Sequence, residues 1–159
     1  MLEKKDLIFI IKFFVIFAIL TLILETINFA FLQEFLTSIV AKILALQFEG
    51  NKIMIGTNTY IINNFCTGLL SGSIFIAIVF AFRKPEIKIK TLIALLGIIG
   101  LFLINILRLL LVLLVGTIDF SLAETTHIIS WFLMSAAIIA FWYYFTRKIT
   151  GEKDLEKLM

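Results

Sequence analysis

Four long apolar runs constrain this chain more than anything else in it. They cover residues 7–24, 66–82, 91–115 and 127–145, and the first extends to 7–32 if its helix runs on. A helix needs roughly 17–25 predominantly apolar residues to cross a bilayer. Of the 159 residues, 62 % are hydrophobic and 16 % charged, with one proline. A soluble domain of this size is closer to half apolar. The expected fold class is therefore an all-α polytopic membrane protein of about four transmembrane helices, forming a single membrane domain over residues 1–159. No small-residue cleavage site follows the first run, so it reads as a span rather than a cleaved signal.

Loop charge sets the expected orientation. Lys4, Lys5 and Lys12 precede or open the first run, and Arg83, Lys84, Lys88 and Lys90 fill the loop between the second and third. Arg147, Lys148, Lys153 and Lys157 follow the fourth, in a charged tail over residues 147–159. The connection 25–65 mixes Glu25, Glu34 and Glu49 with Lys42 and Lys52, and 116–126 has Asp119 and Glu124 with no Lys or Arg. The positive-inside rule places both termini and the 83–90 loop in the cytoplasm, in a multi-pass cell-membrane protein. A net charge of +3, in blocks beside the apolar runs, is a topology signal and gives no reason to expect nucleic acid as a partner.

The 25–65 connection carries structure of its own. Apolar residues at 35, 36, 39, 40, 43, 44 and 46 form a helical stripe, predicting an outer helix over 35–48 that lies in the interface or dips back into the membrane. Residues 52–64 alternate around Gly56-Thr57-Asn58, predicting a short β-hairpin that delivers the chain to the second span. No internal repeat is visible.

Three rare polar residues fall at one depth. Arg108 lies in the third apolar run, where a guanidinium costs a few kcal/mol at least and faces a partner, a cavity or a substrate. It cannot deprotonate to escape that cost. On an outward-running helix it sits within roughly 10 Å of the outer end. Cys66, the only cysteine, opens the second run at its outer end, and His127, the only histidine, opens the fourth. Each has a plainer reading. A lone cysteine is usually a packed hydrophobe, and a histidine at a helix start is often an interfacial polar residue. Arg108 can snorkel or pair with Glu25, Asp119 or Glu124. Thr67, Gly68 and the stretch Ser71-Gly72-Ser73 are the small residues that close helix packing favours; they equally leave room for a substrate backbone. Asn105, one turn before Arg108, shares its face and suits orienting the guanidinium or bonding a peptide. One cysteine excludes an internal disulfide. No Cys/His cluster supports a metal or haem, and no cofactor is expected.

Together the three types point to nucleophilic acyl transfer. A thiolate attacks, and positive neighbours favour it. His127 accepts the proton and returns it to the leaving amine. Arg108 holds the thiolate or the developing oxyanion. The rival readings are a non-catalytic membrane assembly or scaffold subunit, which needs no such cluster, and a transporter with Arg108 as an anion site, which lacks the repeat of broken helices.

Asn64-Phe65-Cys66-Thr67-Gly68, Asn105-Ile106-Leu107-Arg108 and Thr126-His127, each at the start or outer half of a successive span, resemble the signature of the exosortase/archaeosortase family. The resemblance covers about residues 33–146. It implies a membrane cysteine protease/transpeptidase that cleaves a C-terminal sorting signal of secreted proteins through a thioester on Cys66 and passes the product to an acceptor. It implies Cys66 as nucleophile, with Arg108 and His127 completing the triad and Asn105, Thr67 and Gly68 in support. The expected partner is a membrane-anchored protein with a short motif, an apolar span and a basic end, and a lipid or glycan is the possible acceptor. Two departures stand out: threonine follows the cysteine where serine is usual, and the chain lacks the extra spans of larger members.

Overall fold

The computed structural model describes residues 4–152, so the last seven positions of the expected tail, 153–159, lie outside the described residues. In chain order the elements are α1 (Lys4–Thr26), α2 (Ala30–Ile43), β1 (Gln47–Glu49), β2 (Lys52–Ile55), β3 (Asn58–Ile61), a single 3-10 turn (Asn64–Cys66), α3 (Leu69–Ala81), α4 (Ile87–Gly116) and α5 (Phe120–Thr150).

Three helices, α1, α4 and α5, are long and apolar enough to cross a membrane. Their outward faces suit lipid: Leu22, Leu107 and Phe132 are largely exposed. The expected second span is shorter than its sequence promised. It begins at Leu69 and has 13 residues, about 20 Å of helix against a hydrocarbon core of about 30 Å. It packs against α1, α4 and α5. All-α membrane architecture thus holds, with three qualifying helices and one short apolar helix.

Other boundaries differ for identifiable reasons. The first span stops at Thr26, and a break at 27–29 separates it from α2. The Asn28 side chain starts α2 by accepting the Ala30 N–H at 2.9 Å. The outer helix ends at Ile43, short of residue 48. Ala45 takes a positive φ of 53°, and Leu46 N–H donates back to Ala41 at 2.9 Å. This closes the helix as a glycine would. The freed residues Gln47–Glu49 then add a third strand to the hairpin, in the order β1-β2-β3, and β3 itself ends at Ile61. The fourth span begins at Phe120, where the Asp119 carboxylate caps it by accepting Leu122 N–H at 3.0 Å. His127 therefore lies two turns inside α5. The third span begins at Ile87. Lys90, expected in a loop, is buried on the first turn of α4 and donates to the Phe82 carbonyl at 2.5 Å, satisfying an end carbonyl beyond α3.

Two apolar clusters organise the chain. Leu36, Val40 and Ala41 of α2, Ile53 and Ile62 of the sheet region, and Leu109 and Leu113 of α4 form one, with Cys66 packed at its margin. Phe75 and Val79 of α3, Ile93 and Leu101 of α4, and Met134 and Ile138 of α5 form the other. In the second, Gly97 lies flush on the Phe75 ring, where a Cβ would fall 2.0 Å from a ring carbon. Such close approach is how helices associate when no hydrophobic force separates them from lipid.

Candidate active site

A short hydrogen-bonded frame fixes the cysteine. Gln33 of α2 donates to the Asn64 side chain at 2.6 Å, and Asn51 of the β1–β2 turn donates to Gln33 at 3.2 Å and to the Ile62 carbonyl at 3.1 Å. Asn63 accepts the Phe65 N–H at 3.0 Å and opens the 3-10 turn. Thr67 is buried and its hydroxyl closes that turn on the Asn64 carbonyl at 2.6 Å. Gly68 then turns the chain with a φ of 81° into α3, a conformation that favours glycine. Cys66 thus ends the turn immediately ahead of a helix N-terminus, half-buried and with a free thiol.

Asn105 locks this turn onto α4. Its amide donates to the Cys66 carbonyl at 2.8 Å. A Cβ on Gly68 would lie 3.1 Å from the Asn105 side chain, so a larger residue would press on that contact as well as strain the backbone. Asn105 is fully buried, and its Oδ1 has no hydrogen-bond partner.

Arg108 follows one turn later. It is 6 % exposed, and its Nε and Nη2 have no hydrogen-bond partner. Neither Glu25, Asp119 nor Glu124 bonds to it. Its guanidinium lies over the ring of Trp131 on α5, 5.5 Å from the centroid. It is within electrostatic reach of both the Cys66 thiol and the His127 ring. The Trp131 indole in turn donates to Nε2 of His127 at 3.2 Å. Because indole is only a donor, Nε2 is the unprotonated nitrogen, and the neutral ring carries its hydrogen on Nδ1. Ser130 bonds back to the His127 carbonyl at 2.6 Å and plays no part in the cluster.

The structure therefore gathers Cys66, Thr67, Gly68, Asn105, Arg108 and His127 at one end of the bundle. No direct hydrogen bond joins the thiol, the guanidinium and the imidazole to one another among the described residues. Trp131 is the member that sequence reasoning missed. Its spacing from His127, one helical turn, was available as a signal, but an aromatic residue in an apolar run reads as lipid-facing or core. Among the described residues no group of His, Cys, Asp or Glu could hold a metal ion.

Two cavities meet this cluster. An apolar groove of about 200 Å³ runs between α1, α3 and α4, lined in part by Leu24, Gly68, Gly72 and Phe102. A more polar cavity of about 400 Å³ lies between β3 and the helices α4 and α5, with Glu124 and His127 on its wall.

The chain is 27 % identical over 142 residues, 89 % of its own length and 90 % of the other's, to a probable archaeosortase D of Methanocaldococcus jannaschii. No family profile matches, and no solved structure matches. The protein is thus a membrane protein similar to an archaeosortase along nearly all of its length.

Proposed function

We propose that this chain is a membrane-embedded cysteine transpeptidase. Its substrate on this reading is a membrane-anchored protein carrying a C-terminal sorting signal, and Cys66, Arg108 and His127 carry the chemistry. The carrying observation is the buried Arg108 guanidinium, with two nitrogens unpartnered, in electrostatic reach of both the thiol and the imidazole. Leaving buried charged donors unmade is costly, and a substrate carbonyl acquiring negative charge would satisfy them. Asn105 Oδ1 is a matching acceptor for a peptide N–H.

Cys66 gives its proton to His127 Nε2, which exchanges its bond from Trp131 for that proton. The thiolate attacks the scissile carbonyl carbon, and the oxyanion forms beside Arg108. Collapse breaks the C–N bond, and the amine leaves with the proton from His127. The Cys66 thioester is then resolved by water, an amine or a hydroxyl, with His127 taking the acceptor's proton and the thiol regained. On the topology that loop charge supports, the chain crosses the membrane four times with both termini cytoplasmic. Tyr143 and Tyr144, each bonded to Arg147 or Lys148 one turn on, fit an interfacial belt at the cytoplasmic end of α5.

The test is trapping. Secreted and membrane proteins of the host are compared between cells carrying wild type and Cys66→Ala. Tails that remain uncut only in Cys66→Ala cells identify the substrate. Wild-type enzyme supplied with that substrate should accumulate a hydroxylamine-sensitive adduct on Cys66. An unchanged protein profile in Cys66→Ala cells would discard the transpeptidase reading.

A further inference from the structure

We infer that the free edge of β3 is the substrate-docking strand, and that it takes an extended, neutral or basic polypeptide segment by backbone pairing. The inference rests on the transpeptidase reading and adds where the substrate backbone lies.

Strand order makes β3 an edge. Register decides which of its groups are free. Asn58 faces Ile55 and Tyr60 faces Ile53, and one pair further on Ile62 N–H donates to the Asn51 carbonyl at 2.9 Å. Antiparallel ladders bond at every second residue. Asn58, Tyr60 and Ile62 therefore spend their N–H and C=O groups on the β2 side. Thr59 and Ile61 turn theirs the other way, and both line the 400 Å³ cavity that has His127 on its far wall.

The strand is seated firmly enough to act as a template. The Tyr60 ring packs on Phe120 at 5.5 Å between centroids. A Cβ at Gly116 would fall 2.5 Å from the Tyr60 hydroxyl, so α4 and the strand are in close contact. Four residues separate Ile61 from Cys66, so the strand that would hold the substrate leads directly into the proposed nucleophile. An edge strand offers alternate N–H and C=O groups, which an extended peptide matches and a lipid chain does not. Lining charge comes from Glu124, with no Lys or Arg on the walls, which disfavours an acidic segment.

Proline substitution tests this because the edge groups are separable from the ladder groups. Thr59→Pro and Ile61→Pro each delete one outward N–H and leave the β2 ladder donors in place. The probe is the tail that Cys66→Ala cells fail to cut. Both proline variants should cut it about tenfold more slowly, as loss of a binding hydrogen bond with local displacement implies. Thr59→Val and Ile61→Val, which keep the backbone N–H, should cut faster than the corresponding proline variants. Iodoacetamide should alkylate Cys66 at the wild-type rate in all four, which separates lost docking from a damaged site. Wild-type cutting by both proline variants would overturn the inference while leaving the transpeptidase reading intact.

A second measurement stands if the proline variants fail to fold. Cys66→Ala with Ile61→Cys leaves one cysteine on the chain. Tails with single cysteines stepped along the motif are then oxidised against it. Paired docking gives crosslinks at every second tail position. A pattern without that period overturns the inference, and the absence of any Cys66-dependent tail removes both it and the reading beneath it.

Discussion

The indole N–H of Trp131 donates to Nε2 of His127 at 3.2 Å, and the same indole lies beneath the Arg108 guanidinium. One aromatic side chain thus fixes the tautomer of the candidate base and the plane of the candidate oxyanion donor. Trp131→Phe keeps an apolar ring under Arg108 and removes the N–H. Loss of one such bond is worth about 1 kcal/mol, so cutting should slow by about fivefold. Nitrogen NMR of the labelled ring should show the two neutral tautomers mixing. A wild-type tautomer ratio in Trp131→Phe would dissociate the indole from the base.

Arg108→Lys keeps a positive charge and loses the planar fork. Removal of an oxyanion donor typically costs about a hundredfold or more in rate, and that is the loss expected here. Thermal stability of the detergent-solubilised variant is the control. Near-normal turnover would mean that the guanidinium serves only packing on Trp131.

Gly68→Ala should injure the site more than the fold. The new Cβ meets Asn105 at 3.1 Å and must adopt a φ of 81°, a strain of about 1–3 kcal/mol. Relief comes by shifting the turn that carries Cys66. Cutting should fall, and Asn105→Gly in the same chain should restore part of the loss by clearing that contact. No interaction between the two substitutions would contradict the proposed coupling.

Alkaline pH offers a separate check on the sheet. Burial, and secondarily the Asp119 carboxylate, raise Tyr60 above its ordinary value of 10.0. The folded state therefore holds a proton that the unfolded chain releases once the pH passes 10.0. Stability from this group is intact below that pH and is lost as pH rises through the folded value. Tyr60→Phe should flatten the alkaline limb of a melting-temperature profile. An unchanged limb would mean that Tyr60 does not report on folding.

Reporter fusions address topology. Those at Asn58 and Asp119 should face outward and one at Lys88 inward. An outward signal at Lys88 would place α3 as a helix that does not cross, and the depth argument for Cys66 would fall with it.

Periodicity and loop charge made the apolar helices and the hairpin legible, because both follow from local patterns. The ends did not follow. Ala45 closes α2 in a backbone conformation that its identity does not advertise, and β1 exists only because that closure frees Gln47–Glu49 to pair. Asp119 read as a topology charge and is also the cap that starts α5 seven residues before His127. In the candidate site, rarity singled out Cys66, Arg108 and His127, since each is unusual in an apolar run. Trp131 is not unusual there, and only three-dimensional packing sets it between two of them.

The shortness of α3 has a consequence for chemistry. On the proposed four-span topology, a 13-residue helix covers about two-thirds of the hydrocarbon thickness. Hydrophobic mismatch is relieved by local bilayer thinning or by drawing the helix ends inward. Cys66, at the outer end of that helix, then lies in a dimple below the surrounding headgroups. Water follows the headgroups into such a dimple, but the lipids around its wall then stand beside a thioester formed there rather than below it. On the proposed transpeptidase reading, an acceptor that partitions into the outer leaflet would therefore meet the thioester at a higher local concentration than one free in solution.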